Sequence, residues 1–222
     1  MSTVVERYHV KFAPGLARIL IEFLRQPEPV ERGGVLLGRR GGAKIHVALA
    51  VFPPQLAHAA GHCAFDVSSI EYLRNATSTF DGDEMRPVEK IVGWVHTHPR
   101  HGLFLSGTDV TTFATWTQLD PAAVAVVIDP YLPDPDLDRI GWWAAPDEDE
   151  AAVEGPRMTG RRPVAEASPA DPDTLSWEGS ARLAAAVVEE GNGGRWELVS
   201  ASGVHTVFPS PQIATEESEE SA

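Results

Sequence analysis

Cysteine is nearly absent from this sequence, which has a single one, Cys63, in 222 residues. One cysteine excludes an internal disulfide and fits a reducing cytoplasm, and we interpret Cys63 as a buried structural thiol. No apolar run reaches the roughly 18 residues of a membrane-spanning helix, and the first ten residues lack the pattern of a signal peptide. We therefore expect a cytoplasmic protein without a membrane segment.

Positive charge is also scarce. The formal net charge of −14 argues against nucleic acid as the main partner, because phosphate binding requires a basic surface. Lysine occurs only at positions 11, 44 and 90, and the predominance of arginine indicates a GC-rich bacterial genome. The apolar content of 43% is nevertheless sufficient for a packed core.

Apolar residues recur with strand and helix periods in alternation over the first two thirds of the chain. The predicted strands are residues 7–13, 31–38, 44–52, 89–98, 122–130 and 138–145. The predicted helices are residues 14–26, 68–80 and 106–119, the second capped by Asp66 or Ser68. Residues 53–62 contain a proline pair, alanines and histidines, and they predict a loop. This alternation predicts an α/β or α+β domain with a mixed sheet.

Composition changes after this region, and it predicts four segments. Residues 1–145 form the main domain, and residues 146–174, rich in proline, alanine and acids, form a flexible linker. Residues 175–213 form a small C-terminal segment with a helix and then a hairpin around "SASG". Residues 214–222 form an acidic disordered tail.

The stretch "GWVHTHPRHGLFLSGTD", residues 93–109, concentrates the candidate site residues. His96 and His98 project from the same side of a strand, and Ser106 with Asp109 resembles a helix N-cap with its acidic partner. Taken singly, these residues fit two half-buried strand histidines and a helix cap. Taken together, His96, His98 and Asp109 are three ligands that leave the fourth position of tetrahedral Zn²⁺ to water, as in catalytic sites.

Other metal and hydrolase patterns are missing. A structural zinc site requires four protein ligands, normally including cysteines, and this chain has one cysteine. The sequence contains no H-E-x-x-H, no deaminase pair of H-x-E with P-C-x-x-C, and no G-x-S-x-G.

The form H-[ST]-H-P, six residues, then S-x-x-D resembles the JAMM (MPN-plus) zinc metalloproteases, which include deubiquitinases of the proteasome lid and of endosomal sorting. That family also carries a glutamate in the form E-x-x-G-x-L-x-G, and "ERGGVLLG" supplies it as Glu31. Spacing alone does not choose Glu31 over Glu28 or Glu22. The resemblance covers about residues 5–145 and implies the MPN/JAMM fold, a mixed curved β-sheet flanked by helices, here with a small C-terminal extension.

The resemblance implies a role for each motif residue. His96, His98 and Asp109 would bind one Zn²⁺, Glu31 would act as the general base and acid, and Ser106 would stabilise the oxyanion. Phe104 and Leu105 would shape the substrate groove, although simple loop packing is an equal alternative.

The same resemblance implies an isopeptidase or peptidase that cleaves after the C-terminal glycine of a ubiquitin-like protein. Activating and conjugating enzymes would be its associated partners, and loops 53–62 and 129–138 would contact the two sides of the bond. Two alternatives stay open: a non-catalytic MPN scaffold, and a peptidase that releases an amino acid from a sulfur-carrier protein.

Several further residues favour structural roles. We interpret His101 as a solvated loop residue, Thr97 as structural on the face opposite the ligands, and Trp142 and Trp143 as core. Three further histidines, His46, His58 and His62, have no ligand partners at metal spacing.

Overall fold

The computed structural model describes residues 9–42, 44–59, 62–78, 90–145, 161–168 and 194–208. The helices in these ranges are α1 (Leu16–Leu24), α2 (Ser68–Ser78), α3 (Gly107–Leu119) and a short 3-10 helix (Asp136–Arg139). The strands are β1 (His9–Phe12), β2 (Gly33–Gly41), β3 (Lys44–Phe52), β4 (Gln55–Ala59), β5 (His62–Phe65), β6 (Lys90–Thr97), β7 (Val124–Ile128), β8 (Ile140–Ala144), β9 (Arg162–Pro163), β10 (Ala165–Glu166), β11 (Trp196–Ser200) and β12 (Gly203–Val207).

One mixed sheet organises these elements. Its strand order is β10-β1-β3-β2-β6-β7-β8-β9, and the β11–β12 hairpin joins it through β3. Pairing is parallel between β1 and β3, β1 and β10, and β6 and β7, and antiparallel elsewhere. The mixed α+β class predicted from the sequence, a curved sheet with flanking helices, is confirmed.

Both faces of the sheet are buried. Helix α1 covers one face with Leu16, Leu20 and Leu24, while α2 and α3 cover the other with residues such as Leu73 and Phe113. The central strands therefore carry continuous apolar runs instead of an alternating pattern. Trp142 and Trp143, 1% and 5% exposed, lie in the two opposite cores, as predicted.

Two glycines allow the central strands to approach closely. A Cβ at Gly38 would lie 1.9 Å from the carbonyl oxygen of His46, and a Cβ at Gly93 would lie 2.2 Å from that of Val124. Any side chain at either position would push neighbouring strands apart. Both glycines thus have a packing role within the central strands.

The predicted loop at residues 53–62 is instead a separate two-stranded sheet, β4–β5. The side-chain amide of Gln55 pairs with the backbone of Gly33, accepting from its N–H and donating to its carbonyl oxygen, both at 3.0 Å. The sequence prediction was wrong because this pairing depends on a contact with β2, which alanine-rich local composition does not reveal.

The chain beyond residue 145 contributes to the same sheet. The hairpin predicted around residues 200–203 is confirmed, and its strand β11 pairs with β3. Residues 161–168, which composition places in a flexible linker, form β9 and β10, which pair with β8 and β1. The domain boundaries themselves stay a prediction, since the predicted C-terminal helix and acidic tail lie outside the described residues. No helix in the described part of the chain is long and apolar enough to cross a membrane.

Candidate metal centre

Strand β6 brings the two histidines together. Their Nε2 atoms are 3.0 Å apart, and both side chains are buried. The ring of Trp94, two residues earlier on the same side of β6, stacks on His96 at 4.2 Å between centroids. The backbone N–H of His98 continues the pairing by donating to the Ile128 carbonyl at 2.9 Å. The same-side placement predicted from strand alternation is therefore present.

Asp109 joins the histidines from the start of α3. Its Oδ1 is 3.3 Å from His96 Nε2 and its Oδ2 is 3.2 Å from His98 Nε2. It also completes a capping box, in which Ser106 Oγ accepts from the Asp109 N–H and Asp109 Oδ2 accepts from the Ser106 N–H. The cap and the ligand interpretations of Asp109 are thus compatible, because one carboxylate serves both contacts.

The three side chains can hold a metal ion. One ligand atom from each of His96, His98 and Asp109 lies within 4.8 Å of the others, and all three residues are buried. Two imidazole nitrogens 3.0 Å apart, each facing a carboxylate oxygen, require a proton or a cation between them. Two nitrogens and one oxygen are a donor set that suits Zn²⁺ with an open fourth position.

The charge states favour cation binding. Burial lowers the pKa of His96 below its ordinary value, against the opposing effect of Asp109, and so favours the neutral ring that binds metals. Burial alone would raise the pKa of Asp109, but hydrogen bonds from His96 and His98 outweigh it and hold that pKa well below the ordinary range. Asp109 is therefore a carboxylate near neutral pH.

Glu31 reaches the same centre from another strand. Its backbone precedes β2, whose Gly33 pairs with His96, and its Oε1 lies 3.9 Å from His98 Nε2. The two other candidates lie elsewhere. Glu22 forms an exposed ion pair with Arg18 on α1, and Glu28 is exposed and lines a different cleft.

A groove of about 600 Å³ opens from this centre between α3 and the β5–α2 segment. One wall is apolar, with Phe65, Val67 and Ile70, and the α3 wall carries hydroxyl side chains. The hydroxyl residues of the α3 wall are Thr108, Thr111, Thr112 and Thr115. Trp116 and Leu119 of α3 also line the groove, so it is largely apolar with threonine hydroxyls along its α3 side.

Of the remaining residues considered from the sequence, Phe104 and His101 line this groove and Leu105 does not. Phe104, 45% exposed, lines the groove with its ring 4.6 Å from that of His98. Leu105 is partly buried against the core on the α2–α3 face, and His101 lines the groove without joining the three-residue group.

Cys63, predicted to be a buried structural thiol, is only partly buried. Cys63 also lines the groove, where burial, followed by the charges of Glu31 and Asp109, raises its pKa to about 12. A thiol with this pKa stays protonated near neutral pH and is a poor nucleophile. His46 is buried in β3, and the sequence positions of His58 and His62 fall in β4 and β5.

The family model for prokaryotic homologs of the JAB domain matches residues 14–140. The chain belongs to this family. The match includes every proposed site residue and ends before β9–β12, so the C-terminal strands are additions to the matched domain.

Curated relatives of this JAB-domain chain carry diverse names. It is 27% identical to an NAD(+) hydrolase, TcpA, of a Theionarchaea archaeon over 59% of the chain and 38% of that protein. It is 50% identical to the ubiquitin carboxyl-terminal hydrolase RPN11 of Saccharomyces cerevisiae over 19% of the chain and 14% of that protein. It is 43% identical to COP9 signalosome complex subunit 5 of Neurospora crassa over 28% of the chain and 16% of that protein. The chain thus spans well under half the length of each of these relatives.

Asp129 of this JAB domain organises the turn that follows His98, and sequence reasoning assigned it no role. Its side chain is fully buried and accepts from the backbone N–H groups of Arg100, Gly102 and Tyr131 at 2.9–3.0 Å. Arg100 has a φ of 67°, and its guanidinium lies 5.1 Å from the Tyr131 ring. A buried aspartate at the end of an apolar strand was the available signal, because such a carboxylate requires several donors.

Replacing Asp129 with alanine is expected to lower the free energy of unfolding by about 3 kcal/mol, since three buried N–H groups lose a charged acceptor. Urea unfolding measures this loss. The matched control is Asp134→Ala, an exposed aspartate of the same loop, which should change stability by less than about 0.5 kcal/mol. Equal stabilities of the two variants would contradict the proposed role of Asp129.

Proposed function

We propose that this chain is a zinc-dependent isopeptidase or peptidase that cleaves after the C-terminal glycine of a ubiquitin-like protein. The observation that carries the proposal is a buried group of His96, His98 and Asp109 with a carboxylate, Glu31, 3.9 Å from His98 Nε2. A group that can hold a metal, with a second carboxylate beside it at the end of a groove, matches what hydrolysis of an amide requires.

His96, His98 and Asp109 would bind Zn²⁺ through Nε2, Nε2 and a carboxylate oxygen. Bound there, Zn²⁺ supplies Lewis acidity and lowers the pKa of water towards neutrality. Glu31 accepts the proton of the attacking water and later delivers it to the departing amine. Ser106 Oγ accepts from the Asp109 N–H in the capping box, so its own hydroxyl proton can be donated to the oxyanion of the substrate.

The groove and the β4–β5 hairpin support an extended peptide as the substrate segment. Cys63, Ala64 and Phe65 of β5 line the groove, so an extended C-terminal tail can lie alongside this strand. Residues 129–138 begin at the turn that Asp129 holds, and we propose that this loop contacts the other side of the bond. Phe104 and, less directly, Leu105 would shape the groove beside the scissile glycine.

The name of the yeast relative, a ubiquitin carboxyl-terminal hydrolase, supports the substrate class. The proposed partners are a ubiquitin-like protein, its conjugates, and the activating and conjugating enzymes that make those conjugates. The scaffold alternative is disfavoured by the presence of all three ligands and Glu31. NAD⁺ hydrolysis is not proposed, because the similarity to TcpA covers 38% of that protein.

The decisive experiment is intact-mass spectrometry of ubiquitin-like proteins fused through their C-terminal glycine to a reporter. The panel includes ubiquitin and sulfur-carrier proteins extended by one amino acid. NAD⁺ is incubated separately as a small substrate. We expect cleavage directly after a terminal glycine, abolished by a chelator and by Glu31→Ala. A zinc-loaded protein that cleaves no fusion would contradict the proposal, and cleavage of the extended carriers alone would favour the amino-acid-releasing peptidase.

A further inference from the structure

The backbone next to Glu31 is tied to the histidine strand. The Arg32 N–H donates to Thr97 Oγ1 at 2.9 Å, and the Thr97 N–H donates to the Arg32 carbonyl oxygen at 3.1 Å. The strand β2 begins only at Gly33, so Glu31 itself lies beyond the regular ladder. The position of Glu31 over the metal group therefore depends on how firmly Arg32 is held.

Arg32 projects to the face opposite Glu31, where three groups hold its side chain. Its guanidinium lies 4.7 Å from the ring centroid of Phe23 and 5.5 Å from that of Phe52. It also forms an ion pair with Glu197 of β11, and the two side chains are only 16% and 7% exposed. Two largely buried charges are strongly interdependent, because removal of one leaves the other without a partner.

Glu197 lies outside the residues that match the JAB family, yet it is built into this sheet. It pairs with Phe52 across β11 and β3, so its backbone is fixed relative to the strand that carries one of the aromatic rings around Arg32. A second cation, Arg195, contacts the other carboxylate oxygen at 2.8 Å, but its side chain is 62% exposed. Solvent screens this second pair more strongly than the pair with Arg32.

We propose that Glu197 is a positioning residue for Glu31 and acts through the ion pair with Arg32. The β11–β12 hairpin, which carries Glu197, then contributes to the geometry of the catalytic site. The inference rests on the proposed function, in which Glu31 transfers the proton. Glu197 is outside the metal group and is not among the residues that line the groove. Its contribution therefore belongs to the alignment of Glu31 in the transition state, which affects kcat more than KM.

The test compares the full-length, zinc-loaded wild type with Glu197→Gln on whichever fusion the wild type cleaves. We expect kcat to fall about 10-fold in Glu197→Gln, since small misplacements of a catalytic group are costly, while zinc content and KM stay unchanged. The matched control, Arg195→Gln, removes the exposed partner of the same carboxylate and should leave kcat within about 2-fold. Arg32→Gln should resemble Glu197→Gln, and the double variant should be no worse than either single variant.

A second readout needs no substrate. Amide hydrogen exchange at Arg32, whose N–H is bonded to Thr97, should accelerate about 10-fold in Glu197→Gln and remain at the wild-type rate in Arg195→Gln. If Glu197→Gln does not fold, the Arg32→Gln/Glu197→Gln double variant, which leaves no buried charge without a partner, is expected to fold and to show the same kcat loss, and wild-type kcat in it would overturn the positioning role.

Unchanged kcat and unchanged exchange in a folded Glu197→Gln protein would overturn the positioning role. A fall of equal size in Arg195→Gln would also overturn it, because a general electrostatic effect would then account for the loss. The two proposals fail separately: an inactive wild type contradicts the function, whereas the exchange experiment tests the positioning role independently of activity.

Discussion

Glu31→Gln is expected to lower kcat about 10²- to 10⁴-fold while the protein keeps its zinc, since general acid–base catalysis typically contributes that much. The amide has nearly the same shape as the carboxylate and fits the same buried position, but it cannot accept the proton of the attacking water. The position of Glu31 also supports retention of zinc in this variant. Glu31 Oε1 lies 3.9 Å from His98 Nε2, and Glu31 is outside the three-ligand set. Steady-state kinetics and metal analysis of the same preparation measure both effects.

Glu28→Gln is the matched control, because it makes the same chemical change three residues earlier at an exposed position away from the groove. It should retain wild-type kcat. A Glu31→Gln protein with more than about a tenth of wild-type kcat would show that another group transfers the proton. Loss of zinc from Glu31→Gln would instead make Glu31 a ligand.

His96→Ala and Asp109→Ala are each expected to lower zinc affinity more than about 100-fold, because two remaining ligands cannot hold the ion in tetrahedral geometry. Competition with a coloured chelator measures the affinity. Protons compete with the metal for the histidine nitrogens, so zinc affinity should fall as pH falls. The lowered pKa of His96 moves this loss to a more acidic pH than an ordinary histidine would give.

His101→Ala controls for the general loss of an imidazole near the site, since His101 lines the groove but is outside the ligand group. It should retain zinc with wild-type affinity. Asp109 is proposed both to cap α3 and to bind the metal, and Ser106→Ala separates these two roles. The variant removes the acceptor for the Asp109 N–H and leaves the Asp109 carboxylate, so its zinc affinity shows whether metal binding depends on the capping box. Tight zinc binding by His96→Ala would contradict the ligand assignment.

The local parts of the candidate site could be predicted from the sequence. Strand alternation places His96 and His98 on one side, and the S-x-x-D pattern predicts the capping box of Ser106 and Asp109. Both patterns depend on residues close together in the chain, whose geometry follows from the strand or helix itself. Glu31 could be selected only by the resemblance to a family, because its approach to His98 depends on the pairing of β2 with β6.

Only the tertiary structure revealed the parts that depend on distant residues. Gln55 holds the β4–β5 hairpin on Gly33, Asp129 collects the backbone N–H groups of the turn after His98, and Glu197 pairs with Arg32. The stretches around Gln55 and Glu197 fit many environments, and the position of Asp129 at the end of an apolar strand indicates only that its carboxylate needs donors, not which donors it finds. The sequence by itself determined the central strands, the helices and the types of the candidate ligands, but not β4, β5, β9 or β10. The tertiary structure decided which distant side chains hold them in place, because those contacts depend on the register of the whole sheet.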